Sequence, residues 1–268
     1  MTNDVFEVCI VKYGARSTTK SDVYLNFHIY GMPDDPIDMA YYFWVLRNDA
    51  ATVVVDTGFS EHDARVRERT VLVDPRRAFE LLSVDPRAGP PVVVTHAHYD
   101  HIGNLDFFGQ SRITLSRNEL EFCLGPLRER RQYQHLVGTT ELATLAAAHA
   151  EGRVELFDGR HLLMPGIEVL EVGGHTPGQA MVKVNTADGV VLLTSDAVHY
   201  YEEYEQDMPF IYVSDLRAMY QTFDRIHSMV TTGEVAHIVS GHDPLTMNKF
   251  TMVTDGHLAG LMATIGAR

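Results

Sequence analysis

Short apolar runs that end in glycine, histidine or acidic residues recur along this sequence. A short run rich in valine or leucine, followed at once by polar residues, is typical of a buried β-strand that opens into a loop. The strands predicted in this way cover residues 5–11, 40–46, 52–55, 91–94, 112–115, 167–172, 180–184, 190–194 and 236–240. The second and third of these strands are predicted to form a hairpin.

Stretches with helical spacing separate several of these strands. Residues 61–83 are charged and compatible with helix, and residues 140–151 form a clear helical stretch of Leu and Ala. Ser116 followed by Glu119 predicts a capping box at the start of another helix. A last helix is predicted to begin at the cap Ser214 and to run to about residue 230. Its apolar residues at helical spacing are assigned to core packing: Leu216, Met219, Tyr220, Phe223 and Ile226.

Two segments follow neither pattern. Residues 13–38 are rich in turn formers but carry apolar residues, which indicates either a flap or association surface, or a strand pair packed on the core. Residues 199–212 are aromatic and acidic and directly follow a predicted strand end. We expect them to form a loop that lines a pocket, the alternative being a long loop packed on the domain.

Composition and charge narrow the class of protein. A chain of 268 residues and 30.1 kDa has room for one large α/β domain or two small ones. Its hydrophobic content of 45% and charged content of 22% are those of an ordinary soluble globular protein. The net charge of −14 disfavours nucleic acid and anionic membrane surfaces as partners.

The cysteines and the N-terminus indicate a cytoplasmic protein. Cys9 and Cys123 are far apart and outside any Cys-x-x-Cys pattern, which favours two reduced, buried thiols. No apolar run reaches membrane-spanning length, and residues 1–6 lack the features of a secretory signal.

The densest group of metal-binding residue types follows the strand at 91–94. His96 and His98 lie two apart at the end of a strand, so their side chains point the same way. Asp100 and His101 follow where the chain turns and can face a second point. Imidazole nitrogen and carboxylate oxygen are good ligands for zinc and similar cations, and this arrangement suits two ions better than one.

Three later strand ends carry further candidate ligands. His175 follows two glycines after the strand at 167–172, and Asp196 follows the strand at 190–194. A buried carboxylate at such a place needs a partner or a metal. His242 follows the strand at 236–240 in the same way. Four strand ends therefore supply the seven predicted ligands His96, His98, Asp100, His101, His175, Asp196 and His242.

The motif His-x-His-x-Asp-His at 96–101, with the phrase Gly-His-Thr-Pro-Gly at 174–178, resembles the signature of the metallo-β-lactamase superfamily. The resemblance covers roughly residues 40–245. It implies an α/β fold, the four-layer αβ/βα sandwich, as a single domain over residues 1–268. It also implies which ligands bind which metal, and it implies that Asp56 supports the ligands from behind. The sequence around Asp56 is equally typical of a turn. In the implied assignment of ligands, His96, His98 and His175 bind one metal, Asp100, His101 and His242 bind the other, and Asp196 bridges both.

Within the superfamily the sequence is most similar to the N-acyl homoserine lactonase-like group. Asp196 occupies the place where one branch of β-lactamases needs a cysteine, and the ending Gly-His-Asp-Pro-Leu fits the lactonase group. The resemblance implies a quorum-quenching lactonase, in which a hydroxide shared by two metals attacks the ring carbonyl. One departure stands out: those lactonases have a tyrosine three residues after the bridging Asp, and here that position is His199 followed by Tyr200. Either side chain is a candidate proton donor.

Other functions on the same site stay open at this point. One is hydrolysis of another small cyclic amide, ester or thioester, and another is a non-hydrolytic di-iron oxidoreductase or metal-dependent binding module. Zinc is the expected metal, with iron, manganese or cobalt also suited to nitrogen and oxygen ligands. The expected partner is a small-molecule substrate, and residues 13–38 are a candidate homodimer surface.

Overall fold

The computed structural model describes residues 4–267, which contain two β-sheets. The strands of the larger sheet come from the N-terminal half and the extreme C-terminal part of the chain. They are β1 (Glu7–Thr19), β2 (Pro36–Arg47), β3 (Thr52–Val55), β4 (Thr70–Val71), β5 (Val92–Val93), β6 (Ile113–Ser116), β7 (Val154–Phe157), β13 (Thr251–Met252) and β14 (Met262–Ile265). Their order is β13-β14-β1-β2-β3-β5-β6-β7, and β4 pairs with β1.

The smaller sheet follows the order β12-β11-β10-β9-β8. Its strands are β8 (Arg160–Met164), β9 (Ile167–Glu171), β10 (Ala180–Thr186), β11 (Gly189–Ser195) and β12 (His237–Ser240). The last two are parallel neighbours, with Leu193 opposite Val239, so their carboxyl ends meet at the same edge of the sheet. Asp196 and His242 leave the sheet at that edge.

Eight α-helices lie among the strands of the described chain. They are α1 (Glu61–Val66), α2 (Pro75–Leu81), α3 (Tyr99–Ile102), α4 (Arg117–Leu124), α5 (Thr139–Ala150), α6 (Tyr201–Gln206), α7 (Leu216–Thr231) and α8 (Thr246–Lys249). None of the helices within residues 4–267 is long and apolar enough to cross a membrane.

Three apolar cores hold the layers together. The first contains Phe43 of the larger sheet with Phe79 of α2 and Leu145 of α5. The second lies between the two sheets, where Trp44 and Leu193 are fully buried. The third packs the smaller sheet against α7, whose Met219, Phe223 and Ile226 are buried. Helix, sheet, sheet and helix therefore follow one another, and the predicted four-layer αβ/βα sandwich is confirmed.

The two ends of the segment 13–38 belong to a strand pair, and residues 20–35 lie outside the strands. β1 continues to Thr19 instead of ending at residue 11, because it pairs with β2 along its whole length, up to the pair Thr19 and Pro36. The intervening residues carry two short 3₁₀ turns, and Tyr24 forms a bridge to Phe210. The segment thus packs against the chain that follows Asp196.

The segment 199–212 is not a continuous loop, since α6 occupies its first half. The helix begins here because Glu203 accepts hydrogen bonds from the backbone N–H groups of His199 and Tyr200. The cap of α7 is Asp215 rather than the predicted Ser214, whose hydroxyl bonds instead to the Gly174 carbonyl. Leu216 and Tyr220 are exposed, contrary to their assignment to the core.

A matched pair of leucine substitutions tests the core between the sheets. Leu193→Ala removes a side chain that is fully buried there, and we expect the free energy of unfolding to fall by about 2–5 kcal/mol. Leu162→Ala changes a side chain that is 65% exposed, and we expect a loss below about 0.5 kcal/mol. Urea unfolding of both variants measures the difference, and equal losses would contradict this packing.

Candidate metal centre

The seven predicted ligands converge at one edge of the sandwich, where all are buried. His96 and His98 follow β5, His175 follows β9, and Asp196 and His242 follow the parallel strands β11 and β12. Asp100 and His101 lie in α3, which begins directly after His98. The backbone N–H of Ala180 donates to the Thr95 carbonyl at 2.9 Å, which ties the two sheets together beside the first motif.

The ligands form two groups. His96, His98, His175 and Asp196 offer donor atoms that all lie within 4.8 Å of one another, and so do Asp100, His101 and His242. In the first group His98 Nδ1 is 3.0 Å from His175 Nε2. The two groups have the composition that suits one metal ion each.

Asp196 lies between the groups and turns one oxygen to each. Its Oδ2 is 3.5 Å from His175 Nε2 and 3.6 Å from His96 Nε2. Its Oδ1 is 3.2 Å from His101 Nε2 and 3.1 Å from His242 Nε2. A carboxylate placed in this way can bind two cations at once.

Three histidines are held by oxygen acceptors on the far side of the ring. His101 Nδ1 donates to Asp56 Oδ2 at 2.8 Å, and His175 and His242 donate from Nδ1 to the carbonyls of Tyr212 and Ala40, each at 2.7 Å. These bonds place the proton on Nδ1 and leave the Nε2 lone pair facing the centre. The rings are therefore oriented as metal ligands.

Asp56 fulfils both roles that its sequence context suggested. Its backbone has a φ of 59°, in the left-handed region, so it turns the chain at the end of β3. Its carboxylate also accepts bonds from the N–H and hydroxyl of Thr95 at 2.8 and 2.7 Å, in addition to His101. It fixes the strand end from which His96 projects.

Several buried polar atoms of the centre have no hydrogen-bond partner in the protein. They are His96 Nε2, His101 Nε2, Asp196 Oδ1 and His199 Nε2. Leaving such atoms buried and unpaired costs about 1–3 kcal/mol each, and bound cations would satisfy the first three of them. The donor set therefore fits two metal ions.

The protonation states of His96, His98, His175 and Asp196 agree with that fit. Burial and then the neighbouring imidazoles hold the pKa of His96 and His98 well below the usual value, and burial first lowers the pKa of His175 to about 3. Burial alone would raise the pKa of Asp196, but the imidazoles of His242 and His101 outweigh it and lower that pKa strongly. A metal ion binds the neutral form of an imidazole and the ionised form of a carboxylate. Burial alone would lower the pKa of His101, but the carboxylates of Asp196, Asp56 and Asp100 outweigh it and raise that pKa well above the usual value, so this imidazole would give up a proton to bind a metal ion.

Residues 38–242 match the family model of the metallo-beta-lactamase superfamily, which is more than half of the chain. The chain belongs to the metallo-β-lactamase superfamily. Among curated proteins it is similar to an N-acyl homoserine lactonase of Bacillus cereus, with 24% identity over 193 residues, 66% of this chain and 72% of the relative.

Solved structures of this superfamily share the fold. A quorum-quenching N-acyl homoserine lactone lactonase superposes with a TM-score of 0.75 at 21% identity, covering 93% of this chain and 97% of the other. The dizinc quorum-quenching lactonase AidC gives a TM-score of 0.71 at 16% identity, covering 91% and 90%.

The side chain of His199 lies among the candidate metal ligands, and that of Tyr200 does not. His199 Nε2 is 3.1 Å from Asp196 Oδ2, and its ring stacks on Phe210 with centroids 3.7 Å apart. The Tyr200 hydroxyl instead donates to the Asp38 carbonyl at 3.2 Å. Tyr200 does not line the cavity onto which the two ligand groups open.

Glu119 is a residue whose role the sequence pattern did not reveal. It was expected to close a capping box with Ser116, and Ser116 does cap α4. The Glu119 carboxylate, however, accepts from the Ala97 N–H at 2.8 Å, the Thr176 hydroxyl at 2.6 Å and the Gly178 N–H at 3.2 Å. It joins the loop of His96 and His98 to the loop of His175. Burial raises the pKa of Glu119, although these donors oppose the rise.

Gly178 belongs to the same contact. A Cβ at position 178 would lie 2.2 Å from the Glu119 backbone nitrogen, so only glycine permits the two segments to approach. The phrase Gly-His-Thr-Pro-Gly therefore contains a packing requirement as well as a ligand.

Replacing Glu119 should weaken the centre without removing a ligand. In Glu119→Gln the amide NH₂ cannot accept from the Gly178 N–H, so we expect a loss of about 1–3 kcal/mol in stability and roughly 10–100-fold in metal affinity. Thermal unfolding and competition with a chelating dye measure the two effects. Glu121→Gln, an exposed change on the same helix, is the control; unchanged metal affinity in Glu119→Gln would refute the positioning role.

Proposed function

We propose that this protein is a metal-dependent hydrolase that opens the ring of a small lactone, either an N-acyl homoserine lactone or a related compound. The observation that carries the proposal is the position of Asp196, whose two oxygens face two separate ligand groups. The family match and the relatives named N-acyl homoserine lactonase support the reaction class.

The proposed ligands are distributed as two sets with one shared residue. His96, His98 and His175 would hold one ion, Asp100, His101 and His242 would hold the other, and Asp196 would serve both. When bound, such a pair of cations lowers the pKa of water toward neutrality and polarises a substrate carbonyl. The protein fixes the ligands through Asp56, Glu119 and backbone carbonyls, so that the donor atoms are positioned before substrate arrives.

Zinc is the metal that we propose. The donors are imidazole nitrogens and carboxylate oxygens, which zinc accepts readily and which iron, manganese and cobalt accept as well. The relative AidC is a dizinc enzyme, which supports zinc here.

His199 is the proposed hydrogen-bond donor to the oxygen that leaves when the ring opens. Glu203 lies 3.3 Å from His199 Nδ1, and the stack on Phe210 fixes the plane of the His199 ring. His199 Nε2 therefore faces the two ligand groups. The resemblance to the lactonase group, which has a tyrosine three residues after the bridging Asp, supports this assignment. Tyr200 is directed away from the cavity and is not part of this proposal.

Loss of a metal ligand should abolish turnover. We expect Asp100→Asn to reduce lactone hydrolysis at least 100-fold and to bind fewer than two metal ions, because the second ligand group loses its carboxylate. pH-stat assays on acyl-homoserine lactones, γ-butyrolactone, an aromatic lactone, a thioester and a cyclic imide measure activity, and elemental analysis measures metal content.

The exposed variant Asp255→Asn is the control for this panel. Removal of metal by a chelator should abolish activity, and re-addition of zinc should restore it. Turnover of the thioester or imide with none of any lactone would assign the site to another hydrolysis.

Substitution of His199 separates donation from packing. We expect His199→Phe, which keeps the stack on Phe210, to lower kcat about 10²–10³-fold, since a donor is lost. His199→Tyr restores a donor at this position and should retain activity within about tenfold. Both variants should keep two metal ions per chain. Full activity in His199→Phe would rule out the donor role.

A further inference from the structure

Three arginines line the cavity onto which the two ligand groups open, although the net charge of the protein is −14. Arg16, Arg67 and Arg69 line a cavity of about 80 Å³ that also exposes Asp100, Asp196 and His199. The arginines and the candidate metal ligands therefore face the same cavity.

Only one of these arginines has an acidic partner. Arg67 Nε is 3.0 Å from Asp63 Oδ1, and its guanidinium lies 3.9 Å above the Tyr99 ring. Within residues 4–267 neither Arg16 nor Arg69 forms an ion pair. Arg69 donates to the Tyr99 hydroxyl and the Arg67 carbonyl, and Arg16 donates to the Thr18 hydroxyl.

The sheet places these two arginines next to each other, with Arg16 inside β1 and Arg69 directly before β4. β1 pairs with β4 in the register Ala15 to Thr70, so Arg16 and Arg69 are each one position beyond the same pair. Like charges at adjacent positions of a sheet destabilise it, and both side chains are half-buried. The proximity of the two positive charges destabilises the folded protein, and a bound anion would offset this effect.

The guanidinium groups keep donors for such an anion. Each guanidinium has five N–H groups in a planar fork that matches a carboxylate. The bonds that hold Arg69 leave its Nη2 group uncommitted. The general negative charge of the surface is screened over roughly 8 Å at physiological salt, so the charges that a substrate meets in the cavity are the guanidinium groups and the candidate ligands Asp100 and Asp196.

We propose that the substrate is a lactone that carries a carboxylate, and that Arg16 and Arg69 bind this carboxylate while the ring carbonyl faces the metal groups. This inference rests on the proposed lactone hydrolysis and makes it more specific. Arg67 contributes less, because Asp63 already neutralises it and holds it on Tyr99.

Two γ-lactones that differ in one group test the proposal. One carries a carboxylate on the ring carbon next to the ring oxygen, and the other carries the primary amide at the same place. We expect the metal-loaded wild-type protein to prefer the carboxylate by about ten- to a hundred-fold in kcat/KM, as charge-assisted hydrogen bonds predict. In Arg16→Gln and Arg69→Gln this ratio should fall at least fivefold for each variant, mainly through KM, and rising salt should lower it in the wild type.

Arg117→Gln is the matched control, since it removes the same charge from an exposed ion pair with Asp158, away from the cavity. Its ratio should equal that of the wild type. Hydrolysis of both lactones with equal kcat/KM, unaffected by either cavity variant, would overturn the carboxylate site and leave lactone hydrolysis intact. Preference for a matched phosphonate over the carboxylate would overturn the choice of anion.

Failure of the metal-loaded protein to hydrolyse any lactone would instead refute the proposed function. In that case calorimetric titration of the ring-opened dicarboxylate into wild type and Arg69→Gln still tests the anion site. Equal affinity in the two proteins would overturn it, and at least fivefold weaker binding by the variant would support it.

Discussion

The buried carboxylate of Asp196 is the constraint on which the rest of the site depends. It is almost fully buried, and imidazoles of both ligand groups approach its two oxygens. A carboxylate removed from water is costly unless charge and hydrogen bonds compensate it. Four chain segments must therefore meet at this point, and the four-layer sandwich is the arrangement that brings their ends together. Gly241 follows the same constraint, because a Cβ there would lie 2.9 Å from Asp196 Oδ1.

The residues behind the ligands explain how the loops keep their positions. Asp56 connects the end of β3 to Thr95 and His101, and Glu119 connects the loop after β5 to the loop after β9. Both carboxylates are buried and each accepts bonds from two different chain segments. These hydrogen bonds fix the loops that carry the ligands relative to one another.

The residues that line the cavity differ in chemistry from the residues that support the ligands from behind. His199 lies 3.1 Å from Asp196, and the cavity wall presents Arg16 and Arg69, which form no ion pair within residues 4–267. In the proposed reaction both features favour negative charge on the molecule that enters. His199 would face the oxygen that becomes an alkoxide, and the arginines would face the substituent. Within a common fold, this part of the chain is where substrate choice is decided.

The sequence by itself predicted nine of the fourteen strands in residues 4–267, the seven ligand candidates and the superfamily, because the ligands follow short apolar runs and strand periodicity is a local property. It also predicted the four layers through the resemblance. It missed the strands β4, β7, β8, β13 and β14. Local pattern did not reveal that β1 extends to Thr19, since that extension depends on pairing with β2. Nor did it distinguish His199 from Tyr200, or show that Glu119 spans two loops and that Arg16 lies beside Arg69. Those facts depend on contacts between residues far apart in the chain, and only the tertiary structure brings such residues together.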